Sequence, residues 1–287
     1  CSQYWWTNML YINNLVPWSK PLGGSCMSWA WYLANDMQFF VVTPPMIFLY
    51  YAKPRVGLAL ILLVVLVSSG VRFSMSYEWN LEVGFAALLL PSSSNNFERV
   101  YVRPWFRIGA YMVGVLFGLF YQKKASIKTK TWQAWLSWFV SAFIMITLLF
   151  ATMGLYKNPP QTWPRLVSSV YNSVDRPLWV AGLGLVMFTF LTGRGGVIVS
   201  FLASPIWLPF ARLTYGAYLV HPIWMTLNTA SNHDLDIYSD SNLYFKTAGN
   251  IVMAYGLSFV SFLLLERPFM NLEKWAFTWK RKENKTL

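Results

Sequence analysis

Apolar residues fall along this chain in blocks. Seven stretches, roughly 29–51, 56–73, 105–121, 132–153, 177–192, 213–230 and 243–265, approach or reach the length a spanning helix needs. That length is about 20 mainly apolar residues, because a hydrocarbon core about 30 Å thick is crossed at about 1.5 Å per residue. The second stretch is the clearest, since Val56 to Val71 is almost entirely Leu, Val, Ile, Ala and Gly, while the fifth, about 16 residues long, is the weakest. Pro44 and Pro45 interrupt the first and predict a kink there, with the freed backbone groups re-satisfied by a neighbouring helix. Clusters such as "PSSSNN" (91–96) and "KNPPQTWP" (157–164) read as loops, and there is no internal repeat or low-complexity tract. The pattern predicts an all-α polytopic membrane protein with about seven transmembrane helices.

Composition strengthens that expectation. Apolar residues make up 56% of the 287, aromatic residues 18% and charged residues only 12%, with a mean hydropathy of +0.39. A soluble domain carries about 25% charged residues, so this chain has roughly half the charge that would cover a globular surface. The same apolar fraction excludes disorder and a collagen-like chain, and two cysteines exclude a disulfide scaffold. The first residue is Cys1 rather than Met and no signal-peptide pattern opens the chain, which reads as a C-terminal fragment of a longer protein.

The net charge of +12 would suggest nucleic acid on a soluble protein, but here its distribution follows the loops. With the N-terminus outside, inner segments hold 14 Lys and Arg and outer segments 6, the asymmetry that the positive-inside rule requires. The C-terminus is therefore expected in the cytosol, with an extracytoplasmic segment over 1–28, a multi-pass domain over 29–273 and a basic tail over 274–287 that touches anionic lipid rather than nucleic acid. Cys1 and Cys26 then both lie on the oxidising side. They can pair with each other or with cysteines further upstream. The sequon Asn284-Lys285-Thr286 falls in the cytosol and reads as a chance match.

Ionisable groups inside spans carry most of the chemistry in such a protein, because each costs several kcal/mol unless paired or hydrated. Four stand out. Asp36 is the eighth residue of the first stretch, about 10 Å below its outer end, and His221 is the ninth of 18 in the sixth, which is the midplane. Arg72 closes the second stretch and Arg107 opens the third, both on the outer side, so the four are able to converge on the outer half of one cavity. Each has a structural alternative. Arg72 and Arg107 can anchor or pair helices, Asp36 can be a buried partner of either, and His221, before Pro222, can serve as a hydrogen-bond partner in its helix. As a catalytic group, His221 would accept and return a proton while Asp36 fixes its tautomer.

Other site classes find no support. His221 and His233 are not at ligand spacing and the cysteines are outside, so no metal is expected. "TGRGG" (192–196) does not complete a phosphate-binding loop, and there is no GxSxG elbow. Gly109, Gly114 and Gly118 read as close helix packing. Asp234, Asp236 and Asp240 in loop 231–242 read as solvated.

Three strings belong together: "WYLANDMQFF" (31–40), "RLTYGAYLVHP" (212–222) and "ERPFMNLEK" (266–274). The first resembles the Trp-Ser-Leu-Ser-Val-Glu-Glu-Gln-Phe-Tyr signature of the acyltransferase-3 family of integral membrane acyltransferases. Trp31, Leu33, Gln38 and Phe39 match, and Asp36 stands at the first Glu. The second resembles that family's Ser-Tyr-Ser-Leu-Tyr-Leu-x-His segment at Tyr215, Tyr218, Leu219 and His221. The opening "CSQYWWTNMLYINNL" with "CMSWAWYLANDMQFF" resembles more narrowly the animal nose-resistant-to-fluoxetine branch.

The resemblance implies acyl transfer from a cytosolic acyl-CoA donor, with no permanently bound cofactor, to an acceptor in the membrane or beyond it. His221 and Asp36 would be catalytic. Arg72, Arg107, Gln38, Tyr215 and Tyr218 would bind substrate, and Lys123, Lys124, Arg194 and Arg212 are candidates for the CoA phosphates. Met37 replaces the family's second Glu. The family's essential His on an early helix precedes everything in this chain, which implies an incomplete centre and an inactive fragment. The rival reading is a transporter of lipids or small hydrophobic molecules that keeps the fold without chemistry.

Overall fold

A computed structural model describes residues 2–18, 26–81, 83, 100–124, 130–156, 163–231 and 239–283, with side chains described except at 123, 124 and 278–283. Cys1, Lys20, the loop at 91–96, Arg99, Lys128, residues 157–162, His233, Asp234, Asp236 and the sequon at 284–286 lie outside the described residues. The described chain is helical: α1 (Trp5–Met9), α2 (Trp31–Ala52), α3 (Pro54–Glu78), α4 (Ile108–Lys124), α5 (Thr131–Ala151), α6 (Arg165–Leu191), α7 (Gly196–Leu202), α8 (Leu208–Ser231), α9 (Asp240–Ser261) and α10 (Arg267–Glu283). Short 3-10 turns join several of them, and a π-helical turn, Phe262–Glu266, carries α9 into α10.

Each of the seven apolar stretches falls on one of these helices. Length and composition qualify fewer as spans. Pro54–Glu78, Thr131–Leu155, Arg165–Leu191 and Asp240–Phe277 qualify alone, and Gly196–Leu202 with Pro205–Ser231 makes a fifth if taken as one broken span. The polar content of α2, with Asn35, Asp36, Gln38 and Thr43 on a 22-residue helix, keeps it out, and α4 is too short. Helix α2 runs through Pro44 and Pro45, with the Thr43 hydroxyl donating to the Phe39 carbonyl at 2.7 Å.

The polarity of these helices is inverted relative to a soluble bundle. Buried polar and charged side chains, among them Asn13, Asn14, Asn35, Ser68, Ser76, Ser169 and Thr189, outnumber buried hydrophobic ones among the described residues. Phe48, Leu66, Trp135, Phe139 and Phe245 are among the many large apolar side chains left exposed. In water such a surface would aggregate; in hydrocarbon it is the favourable one, and the polar groups must satisfy each other inside.

The structure divides into two compact units, Cys1–Val199 and Ser200–Leu287. In the first, α6 packs against α3, α4 and α5, and α2 packs against α3. Met46, Ile61, Met112 and Leu119 form a small apolar core between α2, α3 and α4. The single residue Lys53 separates α2 from α3, with Pro54 at the first helical position of α3 where its missing N–H matters least. The two helices are so close there that a β-carbon on Gly57 would sit 2.3 Å from the Tyr50 Cα. In the second unit α8 packs along α9, where Gly216 leaves room for the Ser258 hydroxyl, which donates to the Leu213 carbonyl at 2.8 Å.

Candidate functional site

A cationic cluster forms in the first unit where α2, α3, α4 and α6 meet. Arg72 on α3 is 6% exposed, and its Nη2 donates to Asp175 Oδ1 on α6 at 2.5 Å. Asp175 also accepts from the Arg176 backbone N–H at 2.6 Å. One turn away Asn172 donates to the Ser76 hydroxyl at 2.9 Å, so two polar links join α3 to α6. The Arg107 guanidinium lies 4.2 Å from the Tyr101 ring centre and 4.5 Å from that of Trp31, and its Nε donates to the Tyr101 carbonyl at 2.8 Å. Arg176 lies 5.2 Å from the Tyr101 ring and donates to the Phe106 carbonyl at 3.4 Å. Arg72 Nη1 and Arg107 Nη2 are buried without a hydrogen-bond partner.

Arg107 and Arg176 line a cavity of about 490 Å³ with Tyr32, Asn35, Asp36 and Phe39 of α2. Both also line a smaller one of about 350 Å³ with Tyr101, Tyr171 and Asp175. The structural alternative for Asp36, a buried partner of Arg72 or Arg107, finds no ion pair among the described residues. Asp36 is exposed to the larger cavity, and the acidic partner of Arg72 is Asp175. Asp175 and Arg176 stand outside the sequence-based candidates because the fifth apolar stretch begins at residue 177. In the structure the helix starts eleven residues before Arg176, at Arg165. The signal was there as periodicity. Ser169, Ser173 and Arg176 recur at helical spacing on an inward face, while Leu166, Val167 and Val170 face out.

Gln38 belongs to a different network. Its Nε2 donates to the Tyr11 carbonyl at 2.8 Å and to Asn14 Oδ1 at 2.9 Å, Asn14 donates to Asn35 Oδ1 at 2.8 Å, and Asn35 donates to the Val102 carbonyl at 2.9 Å. Arg103 reaches the same segment, donating to the Asn14 carbonyl at 2.9 Å and stacking on Trp18 at 4.5 Å. These side chains fasten the N-terminal segment onto α2. Cys26, at the end of that segment, is disulfide-bonded.

His221, Tyr215 and Tyr218 lie on α8, in the second unit. His221 Nδ1 is 3.1 Å from the Ala217 carbonyl oxygen, and Tyr218 stands beside the imidazole with ring centres 6.0 Å apart. A carbonyl only accepts, so Nδ1 is the donor in this contact and Nε2 is the ring nitrogen outside it. Tyr215 is half exposed. Among the described residues no group of three His, Cys, Asp or Glu is arranged to hold a metal ion.

The small-residue spacing on α4 serves two purposes rather than one. A β-carbon on Gly109 would lie 2.9 Å from the Ser68 hydroxyl, which is close packing, whereas one on Gly114 or Gly118 would meet nothing within 4 Å. These two glycines instead line a cavity of about 280 Å³ between α4 and α6, and Gly114 lines the Arg107 cavity as well. At the far end of α6, Arg194 with Gly193, Gly195 and Gly196 lines a cavity of about 790 Å³, walled by Trp135, Trp138 and Phe139 of α5.

Residues 2–266 match the acyltransferase-3 family, described as an acyltransferase domain. The chain is 26% identical to nose resistant to fluoxetine protein 6 of Caenorhabditis elegans over 99% of its own length and 36% of that protein's. It is 25% identical to regulator of hypoxia-inducible factor 1 of the same organism, over 69% of this chain and 40% of that protein. The chain thus spans well under half the length of either relative. No solved structure matches.

Proposed function

The chain belongs to the acyltransferase-3 family, and from that premise we propose that it transfers an acyl group other than aminoacyl from acyl-CoA to an acceptor in or beyond the membrane. The observation that carries the reading is the 3.1 Å contact between His221 Nδ1 and the Ala217 carbonyl oxygen. With Nδ1 tied to the Ala217 carbonyl, Nε2 is available to take a proton from the acceptor nucleophile and return it to the leaving thiolate. Within the first unit Arg72 and Arg107 hold anionic groups and Asp36 adds a carboxylate to the Arg107 cavity, while within the second Tyr215 and Tyr218 share α8 with His221. Arg194, at the glycine-lined cavity beyond α6, is the best supported of the candidates for the CoA phosphates. The reading includes seven crossings, the N-terminal segment outside and α10 in the cytosol, supported by the 14 to 6 distribution of basic residues.

The test is consumption of radiolabelled acyl-CoA by membranes from cells expressing the full-length protein. His221→Ala is expected to lower transfer by about 10²-fold or more, the usual contribution of a positioned acid or base. His221→Gln keeps hydrogen bonding without titration and is expected to be nearly as poor. Full activity in the Gln variant would mean that the imidazole is structural and the proposal wrong.

A further inference from the structure

The cavity at Arg107 and Arg176 continues past its charged end. It shares Gly114 and Val180 with the 280 Å³ cavity lined by Phe117, Gly118, Leu183 and Met187, so the two form one trough along α4 and α6. Its head is charged and its far part is almost wholly apolar, ending at Leu191. From Arg176 to Leu191 the helix rises about 22 Å, enough for a long hydrocarbon chain. Gly114 and Gly118 keep the trough open, since neither has a neighbour that a side chain would strike.

The head has more positive charge than its surroundings neutralise. Arg72, Arg107 and Arg176 gather there against Asp175, which is taken by Arg72, and Asp36, which faces the cavity. Three guanidinium groups against two carboxylates leave one positive charge over. Arg107 Nη2, buried and without a hydrogen-bond partner, is the donor still to be used. A buried cation left uncompensated costs several kcal/mol, so the fold calls for an anion at this place.

We infer that the trough binds a long-chain amphiphile with a compact anionic head, a carboxylate or a phosphate, its head on Arg107 and Arg176 and its chain between α4 and α6. A single surplus charge suits a compact head; the several phosphates of CoA would need a larger set of Lys and Arg, so this ligand is distinct from the proposed donor. Binding here needs no chemistry at His221; it shares Arg107 with the acyl-transfer reading and is tested separately from it.

The test uses the purified full-length protein in neutral phosphatidylcholine nanodiscs, with tritiated palmitate as the probe and hexadecanol and 1-palmitoyl lysophosphatidate as competitors. Palmitate is expected to bind saturably, and hexadecanol, with the same chain and no charge, to compete at least about 10-fold more weakly. Stronger competition by lysophosphatidate than by unlabelled palmitate assigns a phosphate head, and the reverse order a carboxylate. Gly114→Leu and Gly118→Leu are each expected to weaken binding by about 10-fold or more at unchanged melting temperature, because the added side chain enters open space. Arg107→Gln should weaken binding and Arg107→Lys restore part of it. Hexadecanol competing as well as palmitate, or palmitate failing to bind, overturns the inference; both results come from the parent protein and do not depend on a variant folding. Palmitate binding without acyl transfer would sink the enzymatic reading alone, and transfer without palmitate binding would sink this one.

Discussion

Asp175→Asn removes the acidic partner of Arg72 while keeping an oxygen that can still accept from the Arg176 backbone N–H. The Arg72 side chain is 7% exposed and that of Asp175 27%. Removing one member of a buried pair costs about 3–5 kcal/mol, and the partial exposure of Asp175 points to the lower end, about 3 kcal/mol. For a chain of this size about 1 kcal/mol moves a melting midpoint by roughly 2–4 °C, so a drop of about 6–12 °C is expected. The reverse substitution, Arg72→Met, should be milder. A carboxylate left alone can neutralise itself by binding a proton, whereas a guanidinium keeps its charge. Arg72→Met with Asp175→Leu removes both charges and should recover to within about 1 kcal/mol of the parent, since apolar replacements of buried pairs are often neutral. The assay is thermal unfolding of the detergent-solubilised protein, read by tryptophan fluorescence. If Asp175→Asn melts within about 2 °C of the parent, or if the double variant is as unstable as Asp175→Asn, the pair is not the buried electrostatic joint between α3 and α6 described above.

Two further outcomes follow from other parts of the molecule. Engineered glycosylation sites in loop 231–242 should be used and sites in loop 122–131 ignored, as the basic-residue asymmetry requires; sugar on the second loop would reverse the proposed orientation. Gln38→Leu should release the N-terminal segment, because Asn14 and the Tyr11 carbonyl lose their donor, and protease should then cut within residues 2–18 faster than in the parent. Unchanged cleavage together with weaker substrate binding would return Gln38 to the substrate-binding role that the family resemblance implies.

The helices themselves were the legible part of the sequence. Val56 to Val71 announces α3 by apolar content alone, and all seven apolar stretches lie on helices. Boundaries were less legible wherever a helix turns a polar face inward. The first three turns of α6, residues 165–176, fall outside the apolar stretch that begins at 177, yet Ser168, Ser169 and Ser173 are buried there. In the same way α3 runs on past Arg72 to Glu78. The tie between Asn14, Asn35 and Gln38 had no sequence signal at all. It joins residues 21 and 24 positions apart through neutral amides, which neither repeat periodically nor stand out by charge.

The arginines show why the site was only half visible. An ionisable residue inside an apolar run is conspicuous, so Arg72, Arg107, Asp36 and His221 could be named from their surroundings. What each meets depends on helix neighbours that the run does not specify. Asp36 and Asp175 are both carboxylates on helices that pack against α3, yet among the described residues it is Asp175 that reaches Arg72. Its position is set one turn away by the bond between Asn172 and Ser76, which fixes the register of α6 against α3. Once Asp175 takes Arg72, Asp36 is left to face the cavity beside Arg107 and Arg176. The charge surplus there is thus a consequence of helix register. A shift of α6 by one residue would rotate Asp175 by about 100° away from Arg72, and would change which carboxylate the cavity keeps.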